Sequence, residues 1–354
     1  MKVILISRWV FNPYQKLLVK HLRSLGIQIE EHSEEIIFLP KIARTFKPDI
    51  LHIQLTGGIY LYGGSAVKRY WHLYKICSGL FFAKRKGNKI ICTVHDITKI
   101  KKTSNRLYQL SDSFICKMCD KVIVHSNAEK VQLIRLLKLR ERNVSVVPHG
   151  NYIGYYKNTI VPQEARKILN IPDSSFAILF FGWMFPHKGL LELIDAVTDL
   201  RNDRIMLIIA GKSGIPSYLE QVKKKIGHRD AMRLTSEFIP DDQIQVYMSA
   251  CDVVAIPYLR FTTSGVALLA MSFGKACIAP RLGSLGELLD DKGAFLYDPT
   301  SKQGLPQAIT TAIQNEKTLP GMGQYNKCRV QENSWDRVAE MTVELYKQSI
   351  SGNQ

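Results

Sequence analysis

Phe181-Gly182-Trp183-Met184-Phe185-Pro186-His187-Lys188-Gly189 is the stretch on which the reading of the fold turns. A short, continuous apolar run, Ala177–Phe181, leads into it, and a run with helical spacing, Leu190–Leu200, leads out. The first has the pattern of a strand buried on both faces of a parallel sheet. A strand, a glycine-punctuated turn and a helix together aim main-chain N–H groups at the space above the strand end, which suits an anion. Thr262-Thr263-Ser264-Gly265-Val266 repeats the arrangement between the strand candidate Val253–Pro257 and the helix candidate Val266–Ser272. One turn carries a lysine and the other small, hydroxyl-bearing residues. A nucleotide diphosphate needs both.

Working outward, Arg204–Ala210, Met232–Thr235, Ala276–Ala279 and Ala294–Tyr297 complete a series of strand candidates in the second half. The first half offers its own series: Val3–Ser7, Ile50–Gln54, Ile90–Val94, Lys121–His125 and Ser145–Pro148. Helical patterns such as Tyr14–Leu25, Ala128–Lys138 and Ile244–Ala250 fall between the strands. This alternation predicts two doubly wound α/β domains. Residues 1–160, completed by a last helix over 336–350, form the first, and residues 161–335 form the second. Ligands bind at the carboxyl ends of such strands, so two Rossmann-like domains are expected to face each other across a cleft.

No apolar run reaches the roughly 18 residues a membrane-spanning helix needs, and Met1–Ser7 reads as a first strand, too short for a signal peptide. Cys116-Lys117-Met118-Cys119 is a lone CxxC without a second ligand pair, so small core residues are expected there and no zinc. Seven cysteines without a framework fit a reducing, cytoplasmic setting. The net charge of +17 is lopsided: residues 1–150 hold 26 Lys and Arg against 10 Asp and Glu, which leaves +1 for the rest. The first half therefore asks for an anionic partner.

Taken together, these segments resemble a family 4 glycosyltransferase of the GT-B fold. The turn Gly182–Gly189 resembles that family's Gly-Arg-x-x-Pro-x-Lys-Gly, and Ile208-Ile209-Ala210-Gly211 its strand and glycine. Val94-His95-Asp96, Pro148-His149-Gly150-Asn151 and Ser334-Trp335-Asp336-Arg337-Val338 match further landmarks. Three features depart from the pattern. Phe261 and Leu269 stand where the family has the two glutamates of Glu-x7-Glu, which bind ribose and donor sugar. Trp183 replaces a phosphate-binding arginine, and Arg8-Trp9-Val10-Phe11-Asn12-Pro13 replaces a Gly-Gly turn.

Lys188 is expected to neutralise the leaving pyrophosphate, where such an enzyme gains most. Gly182, Trp183, Thr263, Ser264 and Gly265 would surround the phosphates, with Lys212 beside them. The resemblance puts Phe238 and Ile239 at the base, and Glu287 is a candidate carboxylate for the ribose or sugar. His95 should sit at a strand's carboxyl end and orient substrate or handle a proton. Asn12, before Pro13, reads as a helix cap near the same edge and as a substrate contact.

Residues 59–89 interleave Tyr60, Tyr62, Tyr70, Trp71, Tyr74, Phe81 and Phe82 with Lys68, Arg69, Lys75, Lys84, Arg85, Lys86 and Lys89; Lys99, Lys101, Lys102 and Arg106 extend the patch. An anionic membrane interface suits that mixture. No nucleic-acid module is recognisable. The resulting expectation is a cytoplasmic enzyme, peripheral to the inner face of the plasma membrane. It would move a sugar from a UDP- or GDP-linked donor to a lipid-linked saccharide acceptor in surface polysaccharide synthesis. The resemblance implies a retaining reaction with no metal and no cofactor beyond the donor. A nucleotide-sugar 2-epimerase and a non-catalytic partner subunit are the alternatives.

Overall fold

The computed structural model describes residues 1–7, 12–32, 48–55, 65–95, 97, 106–260 and 264–352. Asp96, Phe261, Thr262, Thr263, Tyr60, Tyr62, Lys99, Lys101, Lys102 and residues 8–11 lie outside the described residues. The chain divides into two units, Met1–Gly150 with Asn333–Gln354, and Asn151–Glu332. The first change of unit falls at Gly150, ahead of the residue 160 expected from sequence. The segment after it is already bonded into the second unit: Tyr152 N donates to Ser272 Oγ at 2.9 Å, and Thr159 N to Gln245 Oε1 at 2.9 Å.

The first unit holds β1 (Lys2–Ile6), β2 (Gln28–His32), β3 (Ile50–Leu55), β4 (Lys89–Val94), β5 (Lys121–Val124) and β6 (Val144–Val146). They form one parallel sheet in the order β2-β1-β3-β4-β5-β6. β2 was not among the expected strands. Its residues Gln28, Glu30, Glu31 and His32 are polar because it is an edge strand, paired only with β1 and left half-exposed. The helices Pro13–Ser24, Ala66–Arg85, Arg106–Met118, Asn127–Leu137 and Trp335–Ser351 belong to the same unit. Asn12 Oδ1 caps the first through Tyr14 N at 3.0 Å, with Pro13 in the opening turn where its missing N–H costs nothing. The last helix seats Trp335 against the end of β6: a Cβ on Gly150 would lie 2.3 Å from the indole, so only glycine lets the ring in.

The second unit holds β7 (Phe176–Phe181), β8 (Ile205–Ala210), β9 (Met232–Thr235), β10 (Val253–Ala255), β11 (Ala276–Pro280) and β12 (Ala294–Tyr297). The sheet runs β12-β11-β10-β7-β8-β9, all parallel. The chain builds outward from β7 to β9, then returns to the other side of β7 with β10. The connections from β7 and β10 therefore leave in opposite directions and open a crevice between their carboxyl ends. At the other end of this sheet Arg166 acts as a clamp. Its guanidinium pairs with Asp252 at 2.7 Å and donates to the carbonyls of Ala250, Pro172, Asp173 and Ser175, while Asp252 accepts from Ala177 N at 2.7 Å. A buried guanidinium is stable only when its donors are spent in this way.

Candidate functional site

The crevice of the second unit is made by backbones that touch. After β7 the chain enters Gly182 at φ 100°, and Gly182 N still donates to Ala210 O at 2.9 Å. A Cβ on Gly211 would lie 2.0 Å from Gly182 O, so the turns after β7 and β8 meet without side chains between them. Met184 N donates to Lys212 O at 2.9 Å and keeps them together. Pro186–Lys188 then forms one tight turn, and Gly189, at φ 69°, starts the helix Leu190–Asp199. A Cβ on Gly189 would lie 1.9 Å from Pro257 O, and Leu259 N donates to His187 O at 3.0 Å. These two contacts bind the β7 turn to the β10 turn across the reversal of strand order.

That approach places Lys188. Its Nζ lies 3.6 Å from the centroid of the Tyr258 ring. Tyr258 is buried, and its hydroxyl accepts from Ser264 Oγ at 3.3 Å. Ser264 in turn caps the helix Gly265–Ser272 through Ala267 N at 3.1 Å, and the first free N–H groups of that helix are those of Gly265 and Val266. The Val266 side chain comes within 3.2 Å of the Cβ position of Gly182, so the two turns share one space. Among the described residues no carboxylate pairs with Lys188. A lysine held over a π face beside a helix start, with no anion of its own among the described residues, is a seat for one. Tyr258 was missed by the sequence reading. An aromatic residue after a buried strand reads as core, and nothing local marks it as the support of a lysine 70 positions away.

The other expected residues lie after the carboxyl ends of the strands of this same sheet. Trp183 is 48% exposed and stacks on Phe185 at 5.8 Å, and Phe185 stacks on His187 at 5.7 Å. Lys212 is exposed beside the turn after β8. Phe238 is 65% exposed beyond β9, whereas Ile239 is buried beneath it, so the stretch is neither a strand end nor wholly core. Glu287 lies exposed on Ser284–Leu288, the helix that follows β11. Leu269, which the resemblance puts at a glutamate position of the family, is buried in its helix. A groove of about 930 Å³ opens elsewhere, at the amino end of the sheet. Its arginines are committed, Arg166 to Asp252 and Arg204 to Glu316, and strand-end chemistry belongs to the opposite edge.

The first unit ends its strands in side chains. His95 follows β4, and its Nε2 lies 2.5 Å from the Gln54 amide on β3 while its Nδ1 lies 3.2 Å from His125 Nε2. Tyr14 meets His95, His125 and His149 edge-on, with ring centroids 4.8, 5.4 and 4.8 Å away, and meets Trp335 at 5.3 Å. Desolvation, and then the neighbouring imidazoles of His125, His149 and His52, hold His95 well below the usual histidine range. Burial alone takes His52 down to about 3; it also takes His149 down to about 3, with His125 adding to it. Asn12 spends its side-chain oxygen on the helix cap.

The helix Ala66–Arg85 exposes Val67, Tyr70, Trp71, Tyr74 and Phe81, which share one face at helical spacing. Lys75 lies over Trp71 at 5.5 Å and Arg85 over Phe81 at 5.8 Å. Lys68 and Lys86 line one margin of the face, and Lys86 lies over Phe82 at 5.6 Å. Two residues expected on this surface are placed otherwise: Phe82 packs against the core of the unit, and Arg69 turns half-buried to the opposite side, while Lys84 is exposed and pairs with Asp120 at 3.6 Å. The helix has to bury Ile76, Leu80 and Ala83, and that choice fixes which neighbours turn inward.

Known proteins resemble this chain in sequence and in fold. A model described as "Glycosyl transferases group 1" matches residues 162–329, and one described as "Glycosyltransferase Family 4" matches residues 18–151. A D-inositol 3-phosphate glycosyltransferase of Corynebacterium urealyticum is 27% identical over 251 residues, 68% of this chain and 59% of that protein. A GDP-mannose:glycolipid 4-beta-D-mannosyltransferase of Xanthomonas campestris is 23% identical over 200 residues, 56% of this chain and 54% of that protein. The chain thus spans under two thirds of the length of these two relatives. Sucrose-phosphate synthase from Thermosynechococcus elongatus superposes with a TM-score of 0.80 at 18% identity, covering 100% of both chains. HepE of Anabaena, solved with UDP and glucose, superposes with a TM-score of 0.77 at 18% identity, covering 98% of this chain and 100% of its own. Likeness at that identity speaks for the fold, which is GT-B. The two family models between them take in every strand named above except β1, together with the Lys188 turn and the Ser264 helix, and the chain belongs to the family 4 glycosyltransferases.

Proposed function

We propose that the protein transfers a sugar from a UDP- or GDP-linked donor to a lipid-linked saccharide acceptor at an anionic membrane face. The observation that carries this reading is the ammonium of Lys188, unpaired among the described residues and fixed over Tyr258 beside the start of the Gly265 helix at the reversal of strand order. Charge that develops on a departing diphosphate would meet a preorganised cation and two main-chain N–H groups, which need not reorganise as the bond breaks. The retaining, metal-independent route belongs to the same reading and rests on the family likeness. Trp183 and Phe238 offer exposed aromatic faces after the strands of the same sheet, and Glu287 is a candidate for the work of the missing glutamates.

The acceptor and the cytoplasmic, membrane-peripheral location rest on the first unit. The charge of +16 carried by residues 1–150 and the exposed stripe Val67, Tyr70, Trp71, Tyr74 and Phe81, edged by Lys68, Lys75, Arg85 and Lys86, suit the headgroup layer of an anionic bilayer. A lipid-carried acceptor would be met there, and surface polysaccharide assembly is the setting that fits.

One experiment tests the transferase reading. Nucleotide sugars are screened by thermal shift and by slow donor hydrolysis, with wild type beside Lys188→Ala. A donor that stabilises and hydrolyses in wild type, with hydrolysis cut about 100-fold or more in the variant, supports transfer. Binding without turnover in both chains favours the non-catalytic reading, which the buried Leu269 at a glutamate position makes specific. Replacing Trp71 and Tyr74 by Ser should release the protein from anionic vesicles but leave donor hydrolysis intact. Retention on those vesicles would end the membrane reading.

A further inference from the structure

We propose that Gln54 and His125 are positioning residues that hold His95 as a neutral imidazole with its hydrogen on Nδ1 and both ring nitrogens engaged. On the transferase reading above, His95, its two nitrogens spent, then orients a bound sugar by the shape of its ring alone and exchanges no proton with it.

The argument starts at a carbonyl. Val147 O can only accept, and His125 Nδ1 lies 3.0 Å from it, so His125 carries its hydrogen on Nδ1. A neutral imidazole has one N–H, so His125 Nε2 is a lone pair. The atom facing it at 3.2 Å is His95 Nδ1, which must donate. His95 Nε2 is then a lone pair as well, and the Gln54 amide beside it at 2.5 Å has to present an N–H. The two ends of an amide have the same shape, and the bonding pattern decides which faces which. With the nitrogen turned to His95, the other end of the amide, 3.4 Å from His52 Nε2, is the oxygen. His52 Nε2 can then donate to it and to Thr93 Oγ1 at 2.8 Å, while His52 Nδ1 accepts from the Tyr346 hydroxyl at 2.6 Å. Every hydrogen bond now runs one way, from Tyr346 on the last helix to Val147 at the end of β6.

The reverse setting of the amide puts a hydrogen on His95 Nε2. Two lone pairs would then face each other between His95 and His125, unless a further proton made one ring a cation. The surroundings oppose that cation. His95 is desolvated, and the imidazoles of His125, His149 and His52 press its titration further down. From the other elements packed here, Tyr14 and Trp335 bring ring edges, and Glu129 spends a carboxylate oxygen on the His125 main-chain N–H at 2.8 Å. Glu129 favours a charge at His125, but burial outweighs it.

The test is nitrogen NMR of the full-length chain with labelled histidine at pH 7, assigned through His125→Gln and His149→Gln. The expected pattern is Nδ1–H for His95 and His125 and Nε2–H for His52. An Nε2–H or doubly protonated His95 in wild type overturns the proposal. A second arm needs no assumption about the wild-type spectrum. Gln54→Glu replaces a group that can donate by one that only accepts, and should place hydrogens on both His95 nitrogens at pH 7; Gln54→Leu should leave the Nδ1–H form. A Gln54→Glu spectrum with His95 unchanged also overturns it. Where a hydrolysable donor is found, wild-type hydrolysis should show no limb assignable to His95 between pH 6 and 8, and Gln54→Glu should gain one. A wild-type limb removed by His95→Gln would sink the orienting role. Absence of hydrolysis with any donor would instead count against the transferase reading and leave the tautomer result standing.

Discussion

The two units hold the same kind of parallel sheet and finish its carboxyl edge by different means. In the second, backbones approach one another through Gly182, Gly189 and Gly211 without side chains between them. In the first, side chains fill the edge: His52, Gln54, Thr93, His95, His125 and Tyr346 bond to one another in series. One edge leaves its charge, Lys188, unpaired among the described residues; the other leaves its rings neutral and internally satisfied. The contrast suggests a division of labour, with an anion held where donors point outward and a shape held where they point inward.

The largest effect should come from Gly189→Ala. The added Cβ would meet Pro257 O at 1.9 Å, and φ there is 69°, so both the conformation and the contact are lost. Strain of this kind costs about 1–3 kcal/mol before the clash is counted, and the turns would have to part. We expect a destabilisation of about 3 kcal/mol or more and loss of measurable nucleotide binding. Gly87→Ala in the first unit is the control: φ is 83° but no atom lies within 4 Å, and about 1 kcal/mol should suffice. Equal costs at the two positions would show that loop apposition is not what the second edge depends on.

Acid should act on the first edge. His52 and His149 remain neutral in the folded chain down to about pH 3, whereas an unfolded histidine takes up a proton below about 6.5. Their contribution is complete above pH 6.5 and falls as pH drops towards 3, by up to about 1.4 kcal/mol per unit for each group. Between pH 6.5 and 5.5 the pair should cost about 2 kcal/mol. Hydrogen exchange read by segment should show protection lost first around β3, β4 and the last helix. Uniform loss across both units would break the contrast.

The difference also explains what the sequence could tell. The edge built from backbone is legible because each glycine, the lysine and the capping serine lie within nine positions of the preceding strand end, so the turns can be located from local sequence. The edge built from side chains is not: Tyr346 reaches His52 across 294 positions, and Gln54 reaches His95 across 41. Gln54 at the end of an apolar run gave no sign of its partner. The strands were readable wherever burial on both faces made them apolar. β2 escaped because an edge position relaxes that demand. Phe82 and Arg69 were misplaced because composition reports that a helix is aromatic and basic, not which side its core selects.

The smallest effect sharpens the reading of the open edge. Trp183 stands where the family has a phosphate-binding arginine, half-exposed at the end of a stack through Phe185 to His187. The stack keeps the indole in place without a bound ligand, so its outer face is available at little cost in ordering. Trp183→Phe should retain nucleotide-sugar affinity within about twofold. Trp183→Ala should weaken it by about 1 kcal/mol, roughly fivefold, with little change in stability, since few core contacts are lost. Trp183→Arg separates the possible causes. If the turn still holds phosphate as the family does, the arginine should restore or raise affinity in a salt-dependent way. If the arginine behaves like the alanine, the donor at this edge is gripped by an aromatic face, and the divergence of the turn reflects a change in what is bound beside the phosphates.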